Sequence, residues 1–168
     1  MNTTINKHAL VFGFTSVFLI GLGLTIVNPV IPFMVEQYTK NTQQQATTVT
    51  LLSAIYAFSM FLAAPMLGAL SDRFGRKIIL ISSLFGSAIG YYLFGFGGAL
   101  WILFLGRIIE GLTGGEISAI LAYFADLTPI ESRTKYFGWI SATVGIGTAA
   151  GPLIGGFLAQ YGPATPLY

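Results

Sequence analysis

The chain has 168 residues, of which 54% are hydrophobic and only 8% are charged. An average soluble domain carries about 25% charged residues, so these residues cannot coat a water-facing surface. The net charge of +2, with no long basic run and no cysteine, excludes a nucleic-acid-binding stripe, disulfides and thiolate chemistry.

A bilayer core about 30 Å thick needs about 20 mostly apolar residues per helix. Uncharged stretches bounded by charges or by Gly, Pro and Asn turns predict an all-α transmembrane protein with five spans, at about 9–35, 49–70, 78–95, 99–125 and 136–159. The first is too long for the apolar core of a signal peptide. The single histidine, His8, lies at its polar start and reads as solvated. A polar, nearly charge-balanced connection over 36–48 follows the first span. The second and third spans are joined by the short basic stretch Ser71 to Lys77. The third and fourth share a stretch twice the needed length, which breaks at Gly95 to Gly98. A charged connection over 126–135, with Pro129 as a helix stop, precedes the fifth span.

Lys and Arg counting orients the bundle. Lys7, Arg73, Arg76, Lys77, Arg133 and Lys135 fall on one side and Lys40 alone on the other, which places the N-terminus and both charged loops in the cytoplasm. Gly162 to Tyr168 reads as a loop leading to something further, so the chain is expected to stop short of a sixth span.

Three charges lie within the fourth span: Arg107, Glu110 and Glu116. Each costs about 2.5–3.5 kcal/mol near a bilayer centre, so such residues usually face a bundle interior or wet cavity and mark a pathway. Arg107 and Glu110 are three apart and share a helix face, whereas Glu116 falls on another face. The pair reads either as a neutralised structural unit or as a site where a buried carboxylate carries a proton. Glu116 reads either as part of such a site or as a residue near a membrane interface.

In the loop after the second span, Asp72 follows a helix end where an anion is disfavoured, and Arg76 and Lys77 open a helix where cations are disfavoured. The basic residues fit a cytoplasmic loop, but Asp72 needs a partner, for which Asp126 and Arg133 of the other charged loop mark the expected network. Gly68 permits close helix approach and Gly75 a tight turn. In the fifth span, Gly147, Gly151 and Gly155 recur every four residues along one helix edge, which favours close packing in lipid. Pro152 removes a backbone hydrogen bond, and Gly156 completes the run.

These residues carry a family resemblance. Gly68 to Lys77 resembles the cytoplasmic-loop signature of the major facilitator superfamily, Gly-x-Leu-Ala-Asp-Arg-x-Gly-Arg-Lys, with Ser71 in place of Ala. Arg107-x-x-Glu110-Gly111 is similar to that family's fourth-helix Arg-x-x-Gln-Gly, with Glu110 in place of Gln. Gly147 to Gly156 resembles the fifth-helix Gly-x-x-x-Gly-Pro-x-x-Gly-Gly signature of drug/proton antiporters, the group of bacterial tetracycline and multidrug exporters. Asp126 to Gly138 is similar to the loop between helices four and five in that group. The first span lacks the carboxylate that tetracycline exporters carry there. The resemblance implies five spans of a six-helix N-terminal half, built from inverted three-helix repeats, whose C-terminal partner half is missing from this chain.

It also implies proton-driven export of a small hydrophobic compound across the cell membrane, with no cofactor beyond the proton gradient. Arg107 then belongs to proton coupling. Asp72, Arg73 and Arg76 belong to a cytoplasmic network holding one conformational state, and the fifth-helix glycines to the interface that sets antiport. A nutrient-importing symporter of the same superfamily is an alternative, as is a transport-inactive fragment. An enzyme is not expected: no His-Glu-x-x-His, no Gly-x-Ser-x-Gly and no paired metal ligands occur.

Overall fold

The computed structural model describes residues 7–114, 117–162 and 165–167. Helices dominate, and no strand occurs among the described residues. They are α1 (Lys7–Ile26), α2 (Ile31–Glu36), α3 (Thr42–Phe74), α4 (Arg76–Phe96), α5 (Leu100–Thr113), α6 (Ile117–Leu127) and α7 (Arg133–Ala159). Short 3-10 turns cover Ile130–Ser132 and Thr165–Leu167. Five helical stretches are long and apolar enough to cross a membrane, with α5 and α6 forming one of them.

The first predicted span, 9–35, is not one helix. α1 ends at Ile26, and a turn carries the chain into α2. Pro29 lies in that turn, and it has no N–H to continue the α1 ladder. The second span is much longer than 49–70, because most of the polar connection is helical. Asn41 caps α3, accepting a hydrogen bond from the Gln44 N–H at 2.8 Å. Thr47, Thr48 and Thr50 donate back to carbonyls four residues earlier, so this polar turn satisfies itself. At the third span, Gly75 adopts φ +97°, letting α4 start at Arg76 directly after α3. α4 ends at Phe96, and Gly97 and Gly98, both at positive φ, turn the chain into α5. The fourth span is interrupted after Thr113, where Gly114 N–H bonds to Gly111 O at 3.2 Å and closes α5 with a tighter turn. The fifth span begins at Arg133, earlier than 136, and α7 continues through Pro152 to Ala159.

Packing follows from small residues. α7 lies along α1, where a Cβ on Gly147 would come within 2.7 Å of Phe18 O and one on Gly151 within 2.9 Å of Leu22 O. α1 answers with Gly21, whose Cβ would lie 2.7 Å from Val144 O. Thr25 Oγ1 donates across this seam to Thr148 O at 2.9 Å. On the other side of the bundle, α5 lies between α3 and α4 in similar backbone contact at Gly90, Gly106 and Gly111. Two buried apolar clusters result. One, around Val27, Val30, Leu52, Phe94 and Leu103, lies toward α2; the other, around Val17, Leu80, Ile120 and Phe124, lies nearer the charged loops. Large apolar side chains such as Phe61, Phe85 and Leu153 point outward and are 70–75% exposed, as suits lipid contact.

Candidate functional site

α5 is forced against both neighbours by its glycines. A Cβ on Gly106 would meet Gly90 O at 2.8 Å, and one on Gly111 would meet Tyr56 O at 2.6 Å. On the face between those contacts Arg107 and Glu110 are buried, at 4% and 3% exposure, whereas Ile108 and Ile109 are partly exposed. Three residues apart, they meet on one face: the Arg107 Nη1–H donates to Glu110 Oε2 in a direct ion pair. The Arg107 guanidinium lies over the Tyr56 ring from α3, 4.2 Å from its centroid, and 6.0 Å from that of Phe94 from α4. Tyr91, also on α4, lines the same cavity as Glu110. Arg107 Nε is buried with no hydrogen-bond partner among the described residues.

The carboxylate borders a cavity of about 260 Å³ between α1, α3, α4 and α5. Leu19, Leu84 and Ala88 supply apolar walls; Tyr56, Tyr91, Ser87 and Glu110 supply polar groups. Gly23 of α1 makes room for the Tyr91 hydroxyl, since a Cβ there would lie 2.5 Å from it. An acid facing a mostly apolar cavity, with a permanently charged arginine behind it, can bind and release a proton without leaving an isolated anion in either state. Glu116 lies outside the described residues, so nothing places it in or out of this cluster.

A second group of site residues gathers at one end of the bundle. α3 runs through Asp72 to Phe74, so Asp72 sits in its last turn rather than beyond it. Arg76, at the first position of α4, pairs with Asp72 four residues back. It also reaches Asp126 at the end of α6, Nε to Oδ2, at 3.2 Å, and donates to Ser71 Oγ at 2.7 Å. One guanidinium therefore ties three helix ends. Among the described residues Arg133 pairs with no carboxylate: it donates to Ala125 O at 2.7 Å and Thr128 O at 3.4 Å, capping the C-terminus of α6. Arg73 lies over the Phe74 ring and Lys77 over Phe12 of α1, at 5.3 and 5.4 Å. Tyr123 of α6 donates to Ala9 O at 2.9 Å, so the start of α1 belongs to the same end as both charged loops. Gly68 is loosely packed, its Cβ position 3.7 Å from Ser118 Oγ. Gly75 supplies the turn that brings Asp72 and Arg76 together.

The fifth-helix motif sits on the α1–α7 seam. Gly147, Gly151 and Gly155 face α1, and a Cβ on Gly155 would also come within 3.2 Å of Pro29 Cγ. Gly156 and Pro152 lie beside the seam and are exposed, and a Cβ on Gly156 would meet nothing within 4 Å. Sequence reasoning missed Tyr56, Tyr91 and Ser71. Single aromatic or hydroxyl residues in apolar helices carry no spacing signal that separates them from ordinary packing.

The model of the Major Facilitator Superfamily matches residues 13–168. The chain is 41% identical over 91% of its length to the tetracycline resistance protein, class C, of Escherichia coli, covering 38% of that protein. It is 38% identical over 88% of its length to the class B protein of Escherichia coli, covering 36% of it. Against multidrug resistance protein 1 of Bacillus subtilis (strain 168), identity is 33% over 92% of this chain and 39% of the relative. The chain thus spans under two fifths of the length of these curated relatives.

Proposed function

The chain belongs to the major facilitator superfamily, and from that membership we propose that it forms the N-terminal part of a proton-coupled exporter of hydrophobic, drug-like compounds. It is a multi-pass membrane protein. The proposed setting is the cell membrane, with the start of α1 and both charged loops on the cytoplasmic side, where six of the seven loop and terminal Lys and Arg residues lie.

The observation that carries the reading is the buried Arg107–Glu110 pair at the wall of an apolar cavity. Intramembrane ionisable pairs of this kind are costly to keep and mark proton or substrate pathways. In the proposed cycle, Glu110 takes a proton from one side of the membrane. Arg107 loses its ionic partner, and the local packing of α5 against α3 and α4 changes. Release of the proton restores the pair. Arg76, held by Asp72 and Asp126, acts as a latch on the cytoplasmic ends of α3, α4 and α6, with Arg73 and Lys77 beside it. The α1–α7 seam, lined by Gly147, Gly151 and Gly155, moves as one body against the rest, with Pro152 and Gly156 beside it. A second half, of the kind implied by the length of the relatives, completes the path, and alternating access rocks the halves around it.

The test is efflux of a fluorescent dye from cells carrying the complete transporter, with and without a collapsed proton gradient. Efflux is expected to require the gradient and to be lost in Glu110→Gln and Arg107→Ala. Gradient-independent efflux, or full efflux in both variants, overturns the reading.

A further inference from the structure

A guanidinium cannot give up its charge inside the bundle. Whenever Glu110 is neutral, Arg107 loses its ionic partner and keeps only a hydrogen bond to an uncharged acid. Within the described residues its Nε has no hydrogen-bond partner, and the nearest group of suitable chemistry is the face of Tyr56, 4.2 Å away. That ring is not free to swing aside. α3 and α5 are in backbone contact at Gly111, and a Cβ on Gly114 would lie 3.5 Å from the Tyr56 hydroxyl, so the side chain lies along α5 from Arg107 to Gly114.

We propose that Tyr56 is a positioning residue for the Arg107 charge: its ring holds the guanidinium while Glu110 is uncharged, tying that state of α5 to α3. The inference rests on the proposed proton exchange at Glu110. A cation over an aromatic face is held most strongly where it is desolvated and no anion competes for it. The ring therefore matters most when the carboxylate is neutral. The groups that face the pair are Tyr56 on α3, Tyr91 on α4, and Arg107 and Glu110 themselves on α5, whereas α1 presents apolar side chains and Gly23. Tyr91 lines the cavity beside Glu110, and Tyr56 meets the cation. Since the last turn of α3 carries Ser71 and Asp72, a load moved onto Tyr56 falls on the helix that carries one side of the Arg76 latch.

The test is a cycle of thermal unfolding midpoints on the full chain in detergent, with Glu110→Gln standing for the neutral acid. Tyr56→Leu is expected to lower the midpoint by about 2–4 °C more in the Glu110→Gln background than in the wild type. Tyr56→Phe, which keeps the ring, removes the extra loss, and the extra loss disappears when Arg107→Met is added. Should Tyr56→Leu fail to fold, Tyr56→Met takes its place in the same cycle. Equal losses in both backgrounds, or Tyr56→Phe behaving like Tyr56→Leu, overturn the role of the ring and leave the exporter reading untouched. An intact cycle alongside efflux that ignores Glu110→Gln overturns proton exchange at Glu110 and leaves the ring as the seat of the charge.

Discussion

Arg107 and Glu110 are each tolerable only because of the other. Removing one partner of a buried pair strands a charge and typically costs about 3–5 kcal/mol, whereas replacing both with apolar residues of similar volume is often neutral or stabilising. Arg107→Met alone is therefore expected to lower the unfolding midpoint sharply, and Arg107→Met with Glu110→Leu to recover most of it. A double variant as unstable as the single would mean that the two do not compensate each other. The pair was legible in the sequence because charge within an apolar span is rare and a spacing of three fixes the shared face. Its surroundings were not. Tyr56 and Tyr91 come from other helices, and their approach depends on Gly23, Gly90 and Gly111, which local spacing does not connect to Arg107. Arg133 shows the converse: its charge suggested an ion pair, but the open carbonyls at the end of α6 claim it first.

Among the elements, α7 gives the clearest contrast between two faces of one helix. Gly151→Leu would force a side chain into Leu22 and Ile26 of α1, where overpacking costs typically 1–3 kcal/mol. Gly156→Leu meets open space and is expected to unfold within about 0.5 kcal/mol of the wild type, as surface substitutions usually do. Equal effects on thermal unfolding would remove α7's seam as the packing face. The every-four glycine pattern announced that face, but not the partner, which Gly21 and Thr25 identify only once α1 and α7 are side by side. Helix ends were read less well than helix cores. Hydropathy stopped the second span at the polar residues near 49, but Asn41 and the self-bonding threonines let α3 begin at Thr42.

For the whole molecule, both charged loops and the start of α1 share one end, and the Arg76 cluster is an ionic tie between helix ends there. Asp72 and Asp126 are about two-thirds exposed, so the tie adds little to global stability, about 1 kcal/mol or less. Arg76→Gln is accordingly expected to leave the unfolding midpoint almost unchanged while speeding amide hydrogen exchange at residues 71–77 and 125–128. Unchanged exchange there would show that the latch holds nothing. Since the chain has no cysteine, topology can be read with single substitutions. Gln43→Cys is expected to react with an impermeant reagent from outside intact cells and Glu131→Cys only after permeabilisation. α3 is the element that makes the two ends unequal. At 33 residues it is about 50 Å long by helical rise, well beyond a hydrocarbon slab of about 30 Å. Its capped, threonine-braced tip is therefore long enough to reach past the lipid like the arm of a lever. A lean of about 10° over that length carries the tip roughly 9 Å sideways, so a small rotation deep in the bundle would be amplified into a displacement that a spin label or an antibody at the tip can register.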